Sequence, residues 1–296
     1  MDRISVCIPA YNEENTIEKC INSILNQKDI YIDEILVGIN GSSDNTKNIL
    51  EQISKKYIKL KVVDSDKGKA NAWNAMNRKA ANNFRVFIDG DCLAEENALN
   101  YLIKSIKNNK KTIVGATLEY ICKDLNVLSK SIHFPKRLYS EEFDICGAMY
   151  IIDYNKLKHD MRINGFCEMP NDIIAEDRWL ALVASSIGIS RNAIVYTKAC
   201  SIDDQIKRLK RMKISEIQLN NKYNYLVRKF NGKYIPNKTR IINQYKLLSI
   251  KDKALYIFYI PLKKIVNKYV DVKAKKLLED YNEENYVWEK IHSSRK

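Results

Sequence analysis

From Arg3 to Leu118 short β-branched runs alternate with segments of helical period, and this alternation restricts the possible folds more than any other feature of the chain. Arg3–Ile8, Glu34–Ile39, Leu60–Val63, Arg85–Ile88 and Thr112–Leu118 read as buried strands. Between them, Ile17, Ile21, Ile24 and Leu25 share a helix face, as do Ile49, Leu50, Ile53 and Tyr57, then Ala72, Trp73, Met76 and Ala80, then Leu99, Leu102, Ile103 and Ile106. A βαβα order predicts an α/β fold with a mostly parallel sheet covered by helices. From about residue 119 to 200 the pattern is mixed, and beyond 201 it is lysine-rich and helical, with Pro236 and Pro261 as breaks.

The loops at the strand ends matter most for function. The first four runs lead into Pro9-Ala-Tyr-Asn-Glu-Glu14, Asn40-Gly-Ser-Ser-Asp44, Asp64-Ser-Asp-Lys-Gly-Lys69 and Asp89-Gly-Asp91. Four polar clusters thus fall at strand carboxyl ends, the edge of an open α/β sheet where ligands bind. Asp89-Gly-Asp91 pairs two carboxylates, the ligand type that magnesium and manganese prefer alongside substrate phosphates; the same three residues also suit an ordinary turn. Lys67-Gly-Lys69 opens a helix whose N–H groups and ammonium charge could face a phosphate, or be a helix start with solvent lysines. It is not a P-loop, and no G-x-G-x-x-G is present. Glu176 and Asp177 precede the apolar run Leu180–Ala184 and read either as a helix-start charge pair or as an acid-base group. Trp73 and Trp179 suit a core more than a ligand platform.

Composition removes several alternatives. With 296 residues, 45% of them hydrophobic, the chain can bury a real core, and its length suggests about two domains. Seven cysteines, no two closer than Cys7 and Cys20, offer neither a paired framework nor C-x-x-C spacing, and read as reduced thiols. Only His133, His159 and His292 are present, so acid-base chemistry is expected to rest on carboxylates. The apolar run Ala254–Leu262 is far short of the roughly 18 residues of a membrane span, and the start of the chain lacks the pattern of a secretory signal, so a cytoplasmic location is expected. Residues 1–200 carry 27 Lys and Arg against 26 Asp and Glu, whereas 201–296 carry 23 against 10, so nearly all of the +14 net charge lies in the last third.

Taken in order, Pro9-Ala-Tyr-Asn-Glu, Asn40-Gly-Ser-Ser-Asp-Asn-Thr46, Lys67-Gly-Lys-Ala-Asn-Ala-Trp-Asn74, Asp89-Gly-Asp91, Cys146-Gly-Ala148 and Glu176-Asp177 resemble the family-2 inverting glycosyltransferases with a GT-A fold. The resemblance spans about residues 3 to 200. It implies that Pro9, Ala10, Tyr11 and Glu13 line the nucleotide base and ribose, with Asn40 where the family often has aspartate and Asp66 closing the base site. Lys69 would approach the diphosphate, Asp89 would bond the ribose or bridge to the metal, and Asp91 would ligate a divalent Mn2+ or Mg2+. Asp177 would be the catalytic base, supported by Glu176; Arg178, Trp179, Arg208 and Arg211 would lie on the acceptor side. The implied donor is a nucleotide sugar, UDP-linked by preference although Asn40 removes a charge at the base. The implied acceptor is a glycan, a lipid-linked saccharide or a peptide. Processive members carry Q-x-x-R-W and membrane helices, whereas this chain has Gln205-Ile-Lys-Arg208-Leu209, which points to single transfer.

These readings divide the chain into a GT-A catalytic domain, 1–205, and a basic helical C-terminal region, 206–296. In the latter, Leu255, Ile257, Phe258, Ile260, Leu262, Ile265, Val266 and Val270 mix with Lys263, Lys264, Lys268, Lys273, Lys275 and Lys276. Such a segment can touch an anionic membrane at its inner face, bind acceptor, pack on the catalytic domain or join two subunits as a homodimer. Two other function classes stay open at this point. One is a nucleotidyltransferase on a related fold, which the first loop disfavours; the other is a non-enzymatic basic adaptor for nucleic acid or membrane. Nucleic acid is the less expected partner.

Overall fold

The computed structural model describes residues 2–121, 145, 147–231 and scattered positions between 249 and 272. Cys146 and most of the basic C-terminal segment lie outside the described residues. The chain forms two compact units, Met1–Glu119 with Glu141–Thr197, and Tyr120–Ser140 with Lys198–Lys296.

The first unit opens with β1 (Arg3–Ala10), α1 (Ile17–Leu25), β2 (Tyr31–Ile39), α2 (Thr46–Lys56), β3 (Leu60–Asp64), α3 (Lys69–Lys79) and β4 (Phe84–Ile88). It continues with β5 (Cys92–Ala94), α4 (Ala98–Asn108), β6 (Ile113–Ile121), β7 (Met149–Asp153), α5 (Tyr154–Ile163), α6 (Glu176–Val183) and β8 (Ile187–Lys198). One sheet runs β3-β2-β1-β4-β7-β6-β8-β5. β1 pairs in parallel with β2 and β4, and β2 with β3, in the expected βαβ manner. Beyond β4 the sheet changes character, because β7 runs antiparallel to both β4 and β6, and β5 runs antiparallel to β8.

The predicted helix faces are buried in α1, α3 and α4 apart from half-buried Leu25 and Ala80, whereas of the predicted face in α2 only Leu50 is buried and Ile49 and Ile53 are half-buried. Ile17, Cys20, Ile21 and Ile24 of α1, and Leu99, Leu102, Ile103 and Ile106 of α4, are buried. α3 is buried along most of its length, and Gly38 of β2 explains part of that: an added Cβ there would lie 3.1 Å from Met76 Sδ and 3.2 Å from Ala72 Cβ. Trp73 stacks on Phe87, which stacks on Tyr150, and the Trp73 indole N–H donates to Tyr150 Oη at 3.1 Å. Buried Arg85 donates to Asn77, Ala80 and Asn82 and lies over the Tyr154 ring, so its charge is held by hydrogen bonds and a ring face.

The second unit holds α7 (Ile202–Lys222) and α8 (Asn224–Asn231). Ser201 caps α7 by accepting from the Asp204 N–H, and Ile214, Leu219 and Leu226 are buried. No described helix is long and apolar enough to cross a membrane.

Candidate active site

The parallel half of the sheet sends its carboxyl ends, and the loops after β1, β2, β3 and β4, to one edge. The first two loops are tied to each other. Asn12, at φ 56°, accepts on Oδ1 from the Ser43 N–H at 2.7 Å, and its own N–H donates to Ser42 Oγ at 3.0 Å. Glu13 N–H donates to Thr46 Oγ1 at 2.7 Å. An asparagine suits this place because its side chain tolerates the left-handed region while bonding local backbone.

Within this frame the predicted donor residues take definite places. Pro9 and Tyr11 are half-buried and Ala10 is buried at the end of β1. Glu13 is buried: its carboxylate accepts from Thr16 Oγ1 at 2.7 Å and its carbonyl caps α1, and a Cβ on Gly90 would come within 3.1 Å of its Cγ. Asn40 is buried, its N–H donates to Ala10 O at 3.2 Å, and its Oδ1 has no hydrogen-bond partner among the described residues. Asp66 is exposed on the loop after β3.

Gly68 then turns the chain at φ 121°, a conformation open to glycine, so that Lys69 begins α3. The Lys69 ammonium stands 2.7 Å from Asp89 Oδ1 and 2.5 Å from Glu176 Oε1. Burial works against its charge, but the two carboxylates outweigh it and hold its pKa above the usual lysine value. Residues 89 and 176, 87 positions apart in the chain, thus share one cation.

A clamp missing from the predicted site residues holds this arrangement. Buried Asn74 on α3 donates to Met169 O at 2.8 Å and to Asn171 Oδ1 at 3.2 Å, and accepts from Met169 N–H at 3.2 Å. It fastens the helix of Lys69 to the loop that leads into α6. Its only sequence signal is a place within Lys67–Asn74.

At the start of α6 the two acidic residues diverge. Glu176 is buried and faces Lys69; burial pushes its pKa up to about 7, with Lys69 opposing and Asp177 and Asp89 adding to the rise. Asp177 is half-buried, accepts on Oδ1 from the Arg178 N–H at 2.8 Å, and lies so close to Gly147 that a Cβ there would be 2.7 Å from its Oδ2. Among the acceptor-side candidates, Arg178 is half-buried beside this pair. Trp179 points elsewhere: it is fully buried, edge-on to Phe166 with ring centroids 5.2 Å apart, because the helical period turns it away from the carboxylate face and into the core. Arg208 and Arg211 sit half-buried on α7 of the second unit, where the Arg208 guanidinium lies 5.8 Å from the Tyr120 ring centroid.

Asp89, Asp91 and Cys92 each place one ligand atom within 4.8 Å of the others. Two carboxylates match a hard divalent cation. Cys92 brings a soft sulfur beside these hard oxygen ligands; burial and then Asp91 and Asp89 push its pKa well above the ordinary thiol value, and its Sγ donates to Asp91 Oδ1 at 3.4 Å. Asp89 is itself shifted upward by enclosure, and then by Asp91 and Asp177, against the pull of Lys69. Lys69 pairs with Asp89 and Glu176, while Asp91 and Asp177 act on Asp89 without a paired cation of their own among the described residues, so a divalent cation would balance the remaining negative charge and the residues fit a bound Mn2+ or Mg2+.

Comparison with known proteins agrees with this geometry. The model of glycosyl transferase family 2 matches residues 5–167. Glycosyltransferase AglE of Haloferax volcanii is 34% identical over 122 residues, which cover 40% of each chain. The UDP-Glc:alpha-D-GlcNAc-diphosphoundecaprenol beta-1,3-glucosyltransferase WfgD of Escherichia coli is 31% identical over 145 residues, 49% of this chain and 56% of WfgD. The chain therefore spans about half the length of these relatives, or less. The mannosyltransferase PcManGT from Pyrobaculum calidifontis, solved with GDP-Man and Mn2+, superposes with a TM-score of 0.59 at 18% identity, over 94% of this chain and 88% of that one. S. aureus TarS 1-349 with UDP-GlcNAc gives a TM-score of 0.53 at 17% identity, over 92% and 83%. The fold is the GT-A α/β fold.

Proposed function

Because the chain belongs to glycosyl transferase family 2, we propose that it is a metal-dependent, inverting glycosyltransferase that moves one sugar from a nucleoside-diphosphate sugar to a glycan, lipid-linked or peptide acceptor. The observation that carries this reading is the Lys69 ammonium held between Asp89 of the strand-end loops and Glu176 of the acidic pair. That contact sets the strand-end loops beside the first turn of α6, where Asp177 follows Glu176. The family assignment also weighs against a nucleotidyltransferase or a non-enzymatic adaptor.

In this reading Pro9, Ala10, Tyr11, Glu13 and Asp66 surround the nucleoside, and the buried Oδ1 of Asn40 accepts a hydrogen bond from the base. A UDP-sugar is the favoured donor, in line with the TarS complex, and the GDP-Man complex of PcManGT marks the alternative base. Asp91, with Asp89 beside it, would hold the divalent cation, whose chemistry is to draw charge from the departing diphosphate. An acceptor hydroxyl attacks the anomeric carbon from the face opposite the diphosphate. The bond from that carbon to the phosphate oxygen breaks, the electron pair leaves with the nucleoside diphosphate, and Asp177 takes the acceptor proton. Lys69 offers charge to the leaving oxygens.

Leucine at 209 in place of the processive tryptophan supports release after a single transfer. We assign 1–205 to catalysis and the basic region 206–296 to contacts with acceptor, an anionic membrane surface or a second subunit. The test is nucleoside-diphosphate release from a panel of nucleotide sugars, with Mn2+ or Mg2+ and with chelator. Release that needs metal and is lost in Asp91→Ala supports the reading. Inertness with every donor, joined to absence of metal-dependent nucleotide binding, refutes it.

A further inference from the structure

We infer that Glu176 serves the donor rather than the acceptor: it is a positioning residue that acts through Lys69, setting where that ammonium stands when a diphosphate arrives. The inference rests on the proposed donor site and adds to it a division of labour within the acidic pair.

Three observations carry it. First, the two neighbouring carboxylates separate in space, Glu176 to Lys69 and Asp177 to Gly147, although they occupy adjacent positions in the first turn of α6. A residue placed to help the base would face the base's own surroundings. Second, Lys69 has a flexible four-carbon stem and three N–H donors, so its position is set by what holds it. Asp89 and Glu176 take two donors and leave one for a phosphate oxygen. Asp89 is also the neighbour of the candidate cation ligand Asp91, so a bound cation competes with Lys69 for it. The Glu176 side chain, 5% exposed, is not a member of that ligand set and keeps its hold. Third, the distance between the partners is built into the backbone: the Asn74 clamp ties α3 to residues 169–171, a few positions ahead of Glu176. Lys69 is therefore gripped from the α6 side whether or not Asp89 is engaged.

The test is a double-mutant cycle on binding, which needs neither acceptor nor turnover. Calorimetry with UDP and Mn2+, repeated with GDP, is run on wild type, Glu176→Gln, Lys69→Met and the double variant. Glu176→Gln is expected to weaken nucleotide affinity about 10-fold, and the double variant to bind within about 2-fold of Lys69→Met alone, since the two residues act as one. Glu176→Asp, which keeps the charge with a shorter reach, should fall between wild type and Glu176→Gln, and serves as the test if the glutamine variant does not fold. In turnover, the same variants should raise KM for donor more than they lower kcat. Unchanged affinity in both Glu176 variants, or losses that multiply in the double variant, overturns the inference while leaving the donor site standing. A wild type that binds neither UDP nor GDP with Mn2+ removes the donor site and this inference together.

Discussion

Gly147→Ala should damage catalysis and spare donor binding. Gly147 lacks the positive φ that would bar a side chain, so the backbone accepts alanine. The obstacle is Asp177, whose Oδ2, Cγ and Cβ would lie 2.7, 3.1 and 3.3 Å from the new methyl group. Ordinary contact begins near 3.4 Å, so the carboxylate oxygen must retreat by about 0.7 Å, the difference between 3.4 and 2.7 Å. α6 cannot move as a body to relieve this, since Glu176, Trp179 and Leu180 anchor it in the interior, so the change falls on the Asp177 side chain. Misplacing a reacting group by about 1 Å can cost on the order of 100-fold, and the shorter displacement predicts a fall in kcat of about 30- to 100-fold. The Lys69, Asp89 and Glu176 contacts do not involve Gly147, so UDP affinity with Mn2+ should stay within about 2-fold of wild type. Steady-state kinetics on a donor with measurable release, beside calorimetry on the same preparation, separates the two effects. Full kcat in Gly147→Ala, or a loss of nucleotide binding that matches the loss of kcat, would refute the placement of Asp177 as base.

The same contacts have other consequences. Asp91→Ala should abolish the metal dependence of UDP binding, whereas Cys92→Ser, which keeps a donor to Asp91, should leave Mn2+ affinity nearly unchanged; titration of Mn2+ by electron paramagnetic resonance measures both. Between the ordinary carboxylate value of 4.5 and about 7 the native chain holds a proton on Glu176 that the unfolded chain has released, so the contribution of this group to stability falls as pH rises through that window. The thermal midpoint of Glu176→Gln, measured against wild type, should therefore climb from pH 4.5 to about 7, and parallel curves would contradict the raised pKa. Tyr150→Phe strips the acceptor from the buried Trp73 indole and should cost about 1–3 kcal/mol, read as a lower denaturant midpoint with an unchanged slope.

Local chemistry carries a long way in this chain. The strand runs and helical faces of the first 118 residues are found where the periodicity puts them, with ends shifted by a few residues: β1 runs on to Ala10 and β2 begins at Tyr31. The strand-end loops converge because four parallel strands share one direction, a consequence of the βαβ order itself. The predicted site residues Lys69, Asp89, Glu176 and Asp177 are brought together, and Asp91 adjoins them.

The features that stayed hidden depend on distance along the chain. β5 has three residues and β7 five, and β7, buried on both faces, shows no alternation to distinguish it from a piece of helix. Its antiparallel pairing with β4 joins residues more than 60 positions apart. The Asn74 clamp spans 95 positions, and nothing in the neighbourhood of Asn74 announces a partner at Met169. That the adjacent Glu176 and Asp177 send their side chains to different neighbours, Lys69 and Gly147, has no signal in the sequence. Trp179 is different: its residue type already favours a core place, and the structure buries it edge-on to Phe166.

The central claim is that one site binds the donor through Asp91 and Lys69 and removes the acceptor proton through Asp177. Its most direct test is Mn2+-dependent UDP or GDP binding measured beside turnover in Asp177→Asn and Asp91→Ala. The account predicts that Asp177→Asn binds nucleotide like wild type while losing about 100- to 10,000-fold in turnover, and that Asp91→Ala loses both. Full turnover in Asp177→Asn, or metal-dependent binding that survives in Asp91→Ala, would contradict it.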